Sequence, residues 1–310
     1  MASRRVAALP DWRRGCPPGT LDPVGETPRM TPTISPGLDR TTWRLHREVV
    51  VLAGWGRAIL LQLAHPLVAQ GVADHSGFAR NPRGRVRRLQ RTLRAMLALT
   101  FGTPDEAAKA AAAINAIHDR VNGRLHEGAG RFPAGAAYSA HDPALLAWVH
   151  ATLVDTFLLT YERFVAPLSP EERDRYCREA GGAAPLLGIP PHMLPQSTVE
   201  LSAYIERMES GGEIVVTDTA RALGRQILWP GLPWPTAPLL SLARLSTVGL
   251  LPPAIREAYG FGWSGRRERA LGVVTALVRR GLPLLPSLAR HWPAARRAAR
   301  RERAAGAAAR

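Results

Sequence analysis

Lysine is nearly missing from this 310-residue chain: of 41 basic residues, only Lys109 is a lysine. The charge is carried by arginine, which keeps its proton under all ordinary conditions. A net charge of +16 would by itself suit nucleic acid or an acidic surface. The arginines are scattered, however, and cluster only at the C-terminal end, with no zinc-finger spacing and no RNA-recognition aromatic signature. A specific nucleic-acid module is therefore excluded, and a general preference for arginine explains the charge. Cysteine is scarce too. Cys16 and Cys177 lie far apart and no Cys-x-x-Cys occurs, which excludes a disulfide framework and a thiol zinc or redox site. Neither Glu-x-x-His nor His-Glu-x-x-His is present, so a di-iron or zinc bundle lacks its paired ligands. There is no Gly-x-Ser-x-Gly elbow for hydrolase chemistry.

Long apolar runs are also missing. None reaches the roughly 18 residues of a membrane span. Val49 to Val72 comes nearest, but Gly54, Arg57, Gln62, His65 and Pro66 interrupt it, and it reads as a buried helix. The first twenty residues carry arginine and proline without an apolar centre, unlike a secretory signal, so the expected location is cytoplasmic. Alternating β-branched stretches are rare and helix formers dominate, which makes the fold class all-α.

What is present is enough for a large core, with 46% hydrophobic residues. Residues 1–40 read as a flexible leader rich in Pro, Gly and Arg; 41–288 as a single helical domain, a globin-like multi-helix bundle around a buried cofactor pocket; 289–310 as a basic Ala/Arg tail. The tail reads mainly as solvated, with weak contact to an acidic membrane as its lesser reading. A helix is expected from Thr41 through the Val-Val-Val run to His65, where Pro66 imposes an end or kink. Gly54, Gly56 and Ala58 would admit another helix or a planar ligand at close range. Asp142-Pro143 opens an apolar helix running to Tyr161, with His150 and Asp155 as its polar exceptions. Ser169 with Glu172 and Ser197 with Glu200 mark two further starts, and Gly265 to Arg280 a later helix.

The most informative stretch is Arg85 to Gly123. Thr103, Pro104 and Glu106 form a capping box, and Gly123 lies where the helix should end. Ala107, Ala110, Ala111, Ile114, Ile117, His118 and Val121 share one side, so His118 is expected among aliphatics, with small alanines leaving room for something flat. A lone histidine on such a face more often packs in a core than binds a ligand, and spacing leaves both roles open. One helix earlier, Arg88, Arg91 and Thr92 share a side and could hold an acidic group. His65, His75, His126, His141 and His150 are further candidates for a cavity or a metal.

The ordered series Gly56-Arg-Ala-Ile-Leu-Leu-Gln-Leu-Ala-His-Pro66, Val72-Ala-Asp-His-Ser-Gly-Phe78, Arg88-x-x-Arg-Thr92, Phe101-Gly-Thr-Pro104, His118-Asp-Arg-Val-Asn-Gly123, Tyr138-Ser-Ala-His-Asp-Pro143, Trp148-Val-His150 and Leu251-Pro-Pro-Ala-Ile-Arg-Glu-Ala-Tyr-Gly260 resembles the oxygenase MpaB and rubber oxygenase catalytic-domain family. The likeness spans about residues 40 to 285. It implies an all-α fold around haem b, with dioxygen-dependent oxidation or cleavage of a double bond in an apolar, isoprenoid-like substrate, and an electron donor it does not identify. It places the iron ligand at His118 and the haem-side Arg/Thr pair at Arg88 and Thr92, with Arg91 beside them. In latex-clearing members a lysine stands where this chain has Arg91, and arginine supplies no neutral amine. A haem- or lipid-binding protein of the same fold without catalysis is the alternative.

Overall fold

A computed structural model of the chain describes residues 40–75, 82–231 and 233–308. The leader expected over 1–40 lies outside these except for Arg40, as do Cys16 and the Ser76-Gly-Phe78 end of one motif. The described residues fall in one unit. They form fourteen α-helices and one small two-stranded ribbon, an all-α domain.

The entry segment is more broken than its apolar pattern suggests. Helix α1 (Thr41–His46) is followed by a 3-10 segment (Val49–Gly54) and then α2 (Trp55–Leu63). The single helix expected from Thr41 to His65 is thus split near Glu48. That side chain is fully buried and turns to Arg290 Nε at 2.7 Å. The kink expected at His65-Pro66 is present: α3 (Pro66–His75) leaves its predecessors at 105°. Helices α4 (Pro82–Phe101) and α5 (Pro104–His118) are joined by Gly102-Thr103 and pack on one another. A short ribbon, β1 (Asn122–Arg124) against β2 (Ala137–Ser139), pairs Gly123 with Tyr138.

The axis of the domain is α6 (Pro143–Phe164), opened by Asp142, whose carboxylate accepts the Ala144 amide at 2.8 Å. Thr152, Thr156 and Thr160 recur every four residues along α6 and are fully buried. The Oγ1 of Thr160 donates to the Thr156 carbonyl at 2.7 Å, so burial leaves no hydroxyl unpaired there. This slim stripe lets the 3-10 segment approach so closely that a Cβ on Gly54 would stand 2.1 Å from Thr160 Oγ1. A Cβ on Gly56 would meet Thr247 at 2.2 Å. The close approach read from these glycines is therefore filled by neighbouring helices and not by a planar ligand. By length and composition α6 could cross a membrane, but 67% of its apolar window is buried inside the fold.

The remaining elements wrap this axis: α7 (Pro170–Ala180), α8 (Thr198–Ser210), α9 (Asp218–Leu228), α10 (Ala237–Leu250), α11 (Pro253–Ala258), α12 (Gly265–Gly281), α13 (Ser287–Arg290) and α14 (Pro293–Ala308). Capping at Ser169 opens α7, and Ser197 opens α8, as their spacing indicates. The main core gathers Leu60, Leu63, Trp148, Leu223 and Tyr259, whose hydroxyl donates to the Leu60 carbonyl at 2.7 Å. The C-terminal tail departs from its solvated reading in its first half: Ala295 and Ala298 of α14 are buried against Phe101.

Candidate functional site at the end of the α4–α5 hairpin

Helix α5 begins with both arms of the capping box made: the Glu106 amide donates to Thr103 Oγ1 (3.2 Å), and the Thr103 amide to Glu106 Oε2 (2.8 Å). Its inward face is closed at the start and opens toward the end. Ala107 and Ala111 are buried, Ile114, Asn115 and His118 are half-buried, and Ile117, expected on the inward side, is 39% exposed. The last turn tightens where the Val121 amide donates to the His118 carbonyl at 2.9 Å, directing the chain into β1.

The His118 ring makes no hydrogen bond to the described residues, and its Nδ1 is buried without a partner. One turn earlier on the same face, Asn115 donates to the Leu186 carbonyl at 3.0 Å while its own Oδ1 stays buried and unpartnered. Two buried polar atoms on one helix face thus lack a partner among the described residues, at a cost of about 1–3 kcal/mol each. Asn115 was not legible as a site residue. Its only signal is a polar side chain three residues before His118 on an otherwise aliphatic face.

His141, returned by the β1–β2 ribbon, stands edge-on to His118 with 5.8 Å between ring centroids. Its Nε2 meets Asp119 Oδ1 at 2.7 Å. Burial holds the His118 pKa below its ordinary value; the neighbouring His141 pushes the same way, and Asp119 opposes them. His118 is therefore a neutral imidazole at neutral pH, the form that can donate a lone pair to a metal.

Arg88, Arg91 and Thr92 share one side of α4, as their spacing requires. Arg88 and His118 each lie about 20 Å from the α4–α5 connection at 1.5 Å per residue, so the two occupy the same end of the hairpin. Arg91 and Thr92 are exposed there, and the Arg88 side chain lies outside the described residues.

The other histidines have separate roles. His65 is buried, and its Nδ1 accepts the Leu67 amide at 3.3 Å; His75 meets the Asn122 carbonyl at 2.9 Å. His126 lies beside Gln70 and Asp74. His150 is enclosed by the fold, and burial lowers its pKa to about 4. The residue as a whole is half-buried, and it makes no hydrogen bond to the described residues. Asp155, the other polar exception of that helix, pairs with Arg57 at 2.7 Å. Among the described residues no group of three His, Cys, Asp or Glu side chains is placed to hold a metal ion. A porphyrin iron needs only one protein imidazole, and the neutral, unpartnered His118 fits that requirement. A cavity between α1, α4 and α6 holds only about 40 Å³ and is lined by Leu93, Met96, Thr100 and Phe157, so it suits a water and not a porphyrin.

No match was found among curated proteins or among solved structures. Against protein-family models, residues 43–280 match the family described as "ER-bound oxygenase mpaB/B'/Rubber oxygenase, catalytic domain". That stretch contains α2 to α11, the α4–α5 hairpin and the His118 cluster, and the chain belongs to this oxygenase family.

Proposed function

We propose that this protein is a haem b-dependent oxygenase that uses dioxygen to oxidise or cleave a double bond in an apolar, isoprenoid-like substrate. The observation that carries the reading is His118: a neutral imidazole with no hydrogen-bond partner among the described residues, at the open end of an alanine-rich face, in a chain of an oxygenase family. Bound haem would supply the iron at which dioxygen reacts. His118 would hold that iron through a ring nitrogen. Arg88 and Arg91, permanently cationic, suit the carboxylates of haem propionates, and Thr92 adds a hydroxyl on the same side of α4.

The rest of the local machinery controls position and protonation. The Asp119 carboxylate engages His141 Nε2, which keeps that ring beside His118 and limits its rotation. Burial keeps the proton count of the His118 ring at one, leaving a nitrogen lone pair for the metal. Ala107, Ala110 and Ala111 place little bulk on the face leading to His118. Arg91 cannot act as a base, so any proton acceptor must be another group.

The test is a visible spectrum of protein expressed with a haem precursor. A Soret band that disappears in His118→Ala, while the circular dichroism stays helical, is the expected result. Protein that remains colourless when offered hemin overturns the reading. Incubation with a terpenoid alkene under dioxygen should then yield carbonyl products; pigmented protein without product would mark a carrier of the same fold.

A further inference from the structure

At the other end of α4, remote from Arg88, a second feature has no part in this chemistry. The cleft between α1 and α14 has a volume of about 460 Å³, within the range of small-molecule sites. Arg44 and Arg47 line it from the α1 side, and Arg296, Arg300 and Arg303 from α14. No Asp or Glu is among its lining residues, and Trp43 and Phe101 form an apolar wall. We infer that this cleft binds a phosphate-bearing anion, the phosphate oxygens held by the guanidinium groups and an adjoining apolar portion resting on Trp43 and Phe101.

Three observations support this inference. First, the Nε atoms of Arg44, Arg47 and Arg296 have no hydrogen-bond partner among the described residues, and the Arg44 and Arg47 side chains are 37% and 43% exposed. Guanidinium groups bind phosphate oxygens through parallel N–H donors, so a cluster of them on one wall suits an oxyanion. Second, the nearby acids are already engaged. Glu48 takes Arg290 at 2.7 Å and His291 at 3.3 Å, leaving Arg47 at 3.6 Å, and Glu172 takes one terminal nitrogen of Arg44. That leaves Arg296, Arg300 and Arg303 without an ion pair among the described residues, and their charge faces one cavity. Third, the frame is fixed before any ligand arrives. Trp43 Nε1 donates to the Thr100 carbonyl at 2.9 Å, its ring meets Phe101 edge-on at 5.5 Å, and Arg301 donates to the Phe101 carbonyl. Arg296, Arg300 and Arg303 follow one stripe of α14 about 10 Å long, enough for two linked phosphate groups.

The experiment is titration calorimetry of the full chain with inorganic pyrophosphate at low salt. A parallel arm measures flotation with phosphatidylcholine vesicles containing phosphatidic acid. Saturable pyrophosphate binding, weakened at least tenfold in Arg296→Gln/Arg300→Gln, is expected. The control Arg266→Gln/Arg269→Gln removes the same charge from exposed positions on α12 and should bind as the parent does. Vesicle binding that depends on the α14 pair, without pyrophosphate binding, supports the site and assigns it to a lipid headgroup. Equal loss in both double variants, no effect of the α14 pair, or no binding of either probe overturns the proposal. So does α14-dependent binding of an oligonucleotide alone. Arg300 is exposed, so Arg300→Gln by itself keeps the test open if the double variant fails to fold.

Discussion

His118 and His141 stand edge to face, 80° between ring planes, and Asp119 grips the second ring on the residue next to the first. Both neighbours act on the charge of His118, in opposite directions. Replacing His141 by Phe removes a repulsive neighbour and should raise the His118 pKa. Asp119→Asn removes the attractive one and should lower it. Proton NMR titration of the imidazole C–H signals reads both shifts, and matching directions in the two variants would contradict this arrangement.

Acid should unfold the protein earlier than its carboxylates alone require. Burial lowers His46, His65 and His150 from 6.5 to about 4. In the fold these rings stay neutral down to about pH 4, whereas the unfolded chain protonates them near 6.5. Between those values the unfolded state binds more protons, so stability is complete above about 6.5 and is lost as the pH falls toward 4. A fully enclosed ring accounts for at most about 3 kcal/mol on this basis. Urea midpoints measured from pH 7 to pH 4.5 should fall steadily, and His150→Gln should flatten the decline. A flat profile in the parent protein would refute the assignment.

Arg57 is 5% exposed and reaches three acceptors: the Leu250 carbonyl (2.7 Å), Thr156 Oγ1 (2.6 Å) and Asp155 Oδ2 (2.7 Å). Asp155→Ala leaves this cation without its counter-charge and should cost about 3 kcal/mol or more. Arg57→Met/Asp155→Leu removes both charges and should recover most of that loss. Chemical denaturation of the two variants gives the comparison, and a double variant no better than the single one would show that the pair is not coupled.

The Gly54 contact predicts a clash that can be relieved. Gly54→Ala drives a methyl group into Thr160 Oγ1 and Thr156 Cγ2, and should destabilise by about 1–3 kcal/mol. Thr160→Ala made in the same chain removes the nearer obstacle and should restore part of the loss. Thermal melts of the single and double variants measure this. A silent Gly54→Ala would mean that the stripe of threonines on α6 is not in tight contact.

Much of this was written in short-range signals. Thr103 with Glu106, Ser169 with Glu172, and Asp142 with Pro143 each specify a helix start within four residues, so α5, α7 and α6 open where the amino acids alone place them. His65-Pro66 breaks the chain for an equally local reason, and the scarcity of alternating β-branched runs settles the all-α class. The His118 position on α5 and the shared side of Arg88, Arg91 and Thr92 follow from helical period. What that period cannot supply is the partner across space. The occupants of the Gly54 and Gly56 contacts, the return of His141 to the His118 ring, the Asn115 bond to the Leu186 carbonyl and the docking of Ala295 and Ala298 on Phe101 all join residues distant in sequence. Such contacts depend on which surfaces meet once the helices pack, and only the tertiary structure decided them.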